Sequence, residues 1–87
     1  MIKRDKETGW AHGVLFGRYI EAKIYEQPSE YGINEGRVSK LFIGKTDKIN
    51  PGVYLDQADY AYDREILFNN LDEGLLNDIL DELEKLV

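Results

Sequence analysis

Apolar positions recur along this chain first every second residue and then every third or fourth, and that switch predicts a sheet followed by a helix. From Trp10 to Phe16 the run WAHGVLF has strand composition, and Gly17-Arg18 reads as the two-residue reversal of a hairpin with glycine leading. Tyr19–Glu26 then alternates, with Ile20, Ala22 and Ile24 facing one way and Tyr19, Glu21, Lys23 and Tyr25 the other. Pro28 ends this strand, because it lacks an N–H and restricts the residue before it. The loop runs on through Gly32 and Gly36, each read as a site of positive φ or close backbone approach. In the third strand, Arg37–Ile43, Leu41 and Ile43 share a face with Ser39, while Val38 and Phe42 share the other with Lys40. Apolar residues on both sides predict a cover on both, one of them supplied by a second subunit or a partner.

Gly44–Gly52 is a turn-rich linker centred on Pro51-Gly52, and Val53–Leu55 is a short apolar patch. Ala58–Glu65 predicts a fourth strand, with Tyr60, Tyr62 and Arg64 on one face and Ala61 on the other. Asn69 or Asn70 is the expected N-cap of a C-terminal helix, with Asp72 and Glu73 matching its positive end. Leu71, Leu75, Leu76, Ile79, Leu80, Leu83 and Leu86 fall on one stripe of that helix, and Asp78, Asp81, Glu82 and Glu84 lie mostly on the remaining face. The expected fold is therefore α+β. One domain spans residues 1–87, with a loose polar end at 1–8, an antiparallel sheet of about four strands and an amphipathic helix on one face. The other face would show Tyr19, Tyr25, Tyr60 and Tyr62 among Lys23, Arg37, Lys40 and Arg64.

Composition narrows the classes. Eighty-seven residues support one modest core, and dimerisation is a common remedy for a sheet face left open at this size. The absence of cysteine excludes disulfides and thiolate metal sites. The charged start MIKRDKETG lacks the apolar segment of a signal peptide, and no run approaches a membrane span, so a cytoplasmic setting without membrane partners is expected. Charge is uneven: residues 1–48 sum to +2 and residues 49–87 to -8. The acidic part would repel nucleic acid and suits solubility or a basic protein partner.

Candidate chemistry is sparse. Gly44-Lys45-Thr46 resembles the end of a phosphate loop, but Ser39 stands where a glycine is needed and the segment leads into Pro51-Gly52 rather than a helix. Asp47–Gly52 lacks the bidentate glutamate of a calcium loop, and Asp56, Asp59 and Asp63 read as a solvated edge. His12 is the single histidine and has no nucleophile or metal-ligand set around it. No catalytic, cofactor or metal residue is assigned.

The elements AKIY at Ala22–Tyr25, SEYGI at Ser29–Ile33, GRVSKL at Gly36–Leu41 and YDR at Tyr62–Arg64 resemble a small uncharacterised family of phages, mobile elements and Gram-positive bacteria. The resemblance covers about half of the chain. That family follows Tyr-Asp-Arg with Gly-Trp, where this chain has Glu65-Ile66. The resemblance implies an accessory protein and no particular reaction. Taken together, the residues predict a non-enzymatic protein that works by protein–protein binding, as a homodimer or with a partner. Tyr and Arg carry most interface hot spots, so the expected contacts are Tyr19, Lys23, Tyr25, Tyr31, Arg37, Lys40, Tyr60, Tyr62 and Arg64. The alternative is a single-strand nucleic-acid binder that stacks bases on the same tyrosines beside the same cations.

Overall fold

The computed structural model describes residues 2–30, 32–48 and 57–86. Among these residues six antiparallel strands lie side by side in chain order: β1 (Lys3–Arg4), β2 (Trp10–Leu15), β3 (Arg18–Ile24), β4 (Val38–Gly44), β5 (Ala58–Asp63) and β6 (Ile66–Asn69). Among the described residues one α-helix, α1 (Glu73–Glu84), packs across β4, and a single 3-10 turn, Ile33–Glu35, lies in the β3–β4 loop. The α+β class is as expected, but the sheet has six strands rather than about four. Both additions are edge strands. At the N-terminus, expected as a loose end, Lys3 and Arg4 pair with His12 and Ala11, and Ile2 is buried. No hydrophobic pattern marks Lys-Arg as a strand. Pairing with β2 and the hydrogen bond from Arg4 Nε to the Ile24 carbonyl (2.8 Å) hold it there.

The β2–β3 reversal is centred one residue earlier than expected, on Phe16-Gly17, between the paired residues Leu15 and Arg18. Both central residues are left-handed (φ 52° and 72°), which matches the twist of the flanking strands. Glycine accepts this freely, whereas Phe16 does so at a steric cost.

Three irregularities in the ladder decide which side chains meet. In β4, Val38 pairs with Ile24 and Lys40 with Lys23, so Ser39 is an extra residue. That bulge turns Val38 onto the same face as Leu41 and Ile43, and all three are buried. The expectation of apolar residues on both sides of this strand is thereby corrected: of the pair Val38 and Phe42, only Phe42 stays opposite the core. In β5 the extra residue is Asp59, between Tyr60 opposite Ile43 and Ala58 opposite Gly44. In β6 it is Leu67, between Phe68 opposite Ala61 and Ile66 opposite Tyr62.

The core is one layer between sheet and helix. Ala11, Ile20, Ala22, Ile24, Val38, Leu41, Ile43 and Tyr60 pack with Ile79, Leu80 and Leu83 of α1, and Leu71, Leu75, Leu76 and Leu86 flank them. This is the leucine stripe meeting β3 as the periodicity requires. The N-cap is Asp72, not Asn69 or Asn70: its Oδ2 accepts the Leu75 N–H at 3.1 Å. Asn69 ends β6 instead, and its Oδ1 accepts the Leu71 N–H at 3.3 Å.

The Gly32–Gly36 loop is a clip for the helix end. Neither glycine has positive φ; each permits a close approach. A Cβ on Gly32 would overlap the Gly36 carbonyl, and one on Gly36 would lie 2.8 Å from Glu84 Oε2. Asn34 and Glu35 take the left-handed conformations in their place. Glu84 Oε2 accepts the Arg37 N–H at 2.9 Å, which ties the last turn of α1 to the start of β4.

Candidate interaction surface

With α1 on one side, the opposite face of the sheet has no covering element among the described residues. Its composition follows from strand parity and the three bulges. One row across the strands is His12, Glu21, Phe42, Ala61 and Phe68, and the next is Trp10, Lys23, Lys40 and Asp63. Val14 opposes Tyr19 in a third row. Large apolar side chains stand out of this face: Trp10 is 37% exposed, Val14 38%, Phe68 41% and Leu67 58%. Phe42 is half-buried against Tyr19 in an edge-to-face contact, with ring centroids 6.4 Å apart.

The charges on this face are mixed and locally paired. Lys23 Nζ sits 5.5 Å from the Trp10 ring centroid and 5.9 Å from that of Tyr25, so one ammonium bridges two aromatic faces. Lys40 lies 4.0 Å from Asp63. Between these groups runs a shallow depression of about 290 Å³, lined by Trp10, Glu21, Lys40, Phe42, Asp63 and Leu67 among others. An apolar depression with a cation, two carboxylates and an indole at its rim has the anatomy of a protein-binding patch.

Of the nine expected contact residues, Tyr19, Lys23, Tyr25 and Lys40 share this open face. Tyr60 and Tyr62 do not. Tyr60 pairs with Ile43 and lies in the core, and Tyr62 packs against that core from the same side. Burial raises the Tyr60 phenol above its usual pKa of 10.0, and the neighbouring Tyr62 adds to the rise. Arg37 points to the helix end, where its guanidinium is 3.9 Å from the Glu84 carboxylate. Arg64 occupies the β5–β6 turn with φ 63°. Tyr31 lies outside the described residues. The four-tyrosine platform of the nucleic-acid reading is therefore split between two faces, because the register places Tyr60 and Tyr62 opposite Ile43 and Leu41.

The sequence reading missed Trp10, Val14, Leu67 and Phe68 as surface contacts. Parity alone would have placed Trp10 and Val14 beside Lys23 and Tyr19 once the hairpin was centred on Phe16-Gly17. Nothing local announces Leu67 and Phe68 together on one face, since that depends on a bulge.

The other candidate groups stay apart. Asp59 is paired with Arg18, whose guanidinium also donates to the Gly44 carbonyl at 3.1 Å. Asp56, Val53–Leu55 and most of the Asp47–Gly52 loop lie outside the described residues. Among the described residues no cluster of three or more His, Asp or Glu side chains could hold a metal ion, and no helix is long and apolar enough to cross a membrane. Asp78, Asp81 and Glu82 stand exposed on α1, the element that covers the far side of the sheet.

No curated protein and no solved structure matches this chain. A family model does match, over residues 9–66, a stretch that runs from the start of β2 to the first residue of β6 and leaves out β1 and α1. The shared unit is thus β2 to β5, which carries Trp10, Val14 and Phe42 of the open face but not Leu67 and Phe68, and the chain belongs to the family described as a domain of unknown function, DUF7678.

Proposed function

We propose that this chain is a non-enzymatic binding protein whose working surface is the open face of the sheet, engaged by a second protein. The observation that carries this reading is the exposure of Trp10, Val14, Leu67 and Phe68 on one face, where Trp10, Phe42 and Leu67 line a single depression with Glu21, Lys40 and Asp63. Exposed apolar patches of this kind on small proteins serve as contact sites more often than as idle surface. Trp10 is the natural anchor: it is large, rigid and already stacked on a cation. The setting is an accessory role in a phage or mobile element, supported by the AKIY, SEYGI, GRVSKL and YDR elements. The exposed carboxylates of α1 form a separate acidic surface, suited to a basic region of the same partner.

Trp10 is the single tryptophan, so its fluorescence reports on the proposed surface directly. Affinity capture from the bacterial host by the wild-type chain, by Trp10→Ala and by Asp78→Lys distinguishes the two faces. The expected result is a partner retained by Asp78→Lys and lost with Trp10→Ala, with an emission shift of Trp10 when the purified partner is added. A partner held equally by Trp10→Ala refutes the open-face reading. Anisotropy of labelled single strands at low salt, the most permissive condition, tests the alternative. Tight binding there replaces the protein partner with nucleic acid.

A further inference from the structure

We infer that β6 is a self-pairing edge through which two copies of this chain join their sheets into one antiparallel sheet of twelve strands. The inference shares Leu67 and Phe68 with the proposed partner surface but uses the backbone edge of β6, so Trp10 and Val14, which lie on β2, tell the two contacts apart.

β6 ends the sheet, and its four residues are Ile66, Leu67, Phe68 and Asn69. All four are exposed, at 58% for Ile66, 58% for Leu67 and 41% for Phe68. The strand carries no charge, proline or glycine, although residues 49–87 are the acidic part of the chain. Native edges are usually guarded by lysine, proline or a covering element. Here the edge is apolar toward both faces. Ile66 and Asn69 line a groove of about 240 Å³ beside Leu71 and Leu76 on the helix side, while Leu67 lines the depression on the open side.

The bulge identifies the occupant. Because Leu67 is the extra residue, the side chains of β6 point to the helix side, the open side, the open side and the helix side, in that order. An ordinary extended peptide alternates strictly and cannot place two successive residues on one face without a bulge of its own. A second β6, antiparallel about a two-fold axis between Leu67 and Phe68, matches at every position. Ile66 meets Asn69 of the second copy on the helix side, and Leu67 meets its Phe68 on the open side. Ile66, Leu67 and Phe68 are 41–58% exposed in each copy, a contact smaller than a standard interface, so the dimer is a weak one that needs all three apolar side chains.

Sedimentation velocity of the full chain from about 1 to 200 μM tests this, alongside Leu67→Lys, Ile66→Lys and the open-face variant Val14→Lys. The expected result is a monomer–dimer equilibrium whose Kd rises at least tenfold in both β6 variants and is unchanged in Val14→Lys, with far-UV circular dichroism the same in all. The chain has no cysteine, so introduced thiols are unique. Leu67→Cys mixed with Phe68→Cys should give a mixed disulfide under mild oxidation, and Val14→Cys mixed with either should not. A monomer across the whole range overturns the inference. So does a dimer that Val14→Lys dissociates and Leu67→Lys leaves intact, which would assign self-association to the open face. Loss of the heterologous partner in Trp10→Ala with the dimer unaffected separates the two readings.

Discussion

Glu84 offers the clearest single test of how the sheet and helix are joined. Its Oε2 accepts the Arg37 backbone N–H at 2.9 Å, its other oxygen is 3.9 Å from the Arg37 guanidinium, and its own carbonyl accepts from that guanidinium at 3.4 Å. Two effects compete for the credit. A hydrogen bond from a backbone N–H to a charged acceptor contributes about 1.5–3 kcal/mol when well shielded. An ion pair between side chains that are each 34% exposed contributes only about 0–1 kcal/mol after solvent screening. Since Glu84 is itself a third exposed, we discount the first figure to about 1–2 kcal/mol, and it still exceeds the second. Glu84→Ala should therefore destabilise the fold by about 1–2 kcal/mol, whereas Glu84→Gln, which keeps an acceptor and loses the charge, should lose only about 0.5–1 kcal/mol. Arg37→Met, which keeps the backbone N–H but also loses the guanidinium bonds to the Glu84 and Glu26 carbonyls, should cost more than Glu84→Gln and no more than Glu84→Ala. Urea unfolding followed by Trp10 fluorescence and far-UV circular dichroism, with the slope m unchanged, measures all three. If Glu84→Gln were as damaging as Glu84→Ala, the ion pair rather than the backbone bond would be the clip, and this reasoning would fail.

Two further outcomes follow from the backbone and from burial. Phe16 holds a left-handed conformation that Asn adopts more readily, and its side chain is 55% exposed, so Phe16→Asn should stabilise by about 0.5–1 kcal/mol and raise Tm; a lowered Tm would show that the ring contributes packing that outweighs the turn. Tyr60 has a raised pKa, mainly from burial, so the folded chain holds that proton to higher pH than the unfolded chain does. Stability from this group is intact below its usual 10.0 and falls as pH rises through the folded-state value. Urea titrations between pH 8 and 11 should show that decline in the wild type and a shallower one in Tyr60→Phe, and equal slopes would count against burial as the cause.

Much of the architecture was legible in the order of residues. The alternation of Ile20, Ala22 and Ile24 and the stripe through Ile79, Leu80 and Leu83 are local periodicities, and both ended in the core because burying apolar area is what those periods permit. The close approach at Gly32 and Gly36 was legible for a similar reason, since two glycines in one loop mark where a Cβ has no room. Half of the open face could also be read, as Tyr19, Lys23, Tyr25 and Lys40, because parity within β3 and β4 is a property of each strand alone. What needed the tertiary structure was every feature set between strands. Lys3–Arg4 is a strand only because β2 offers it a ladder. Tyr60 and Tyr62 are on the covered face because their partners are Ile43 and Leu41. Val38 reached the core, and Leu67 and Phe68 came to lie side by side, through single extra residues that reset parity partway along a strand. A bulge leaves no period of its own in the sequence. The chain therefore determined by itself that a sheet would be closed by a helix, and pairing alone decided which side chains the uncovered surface would carry.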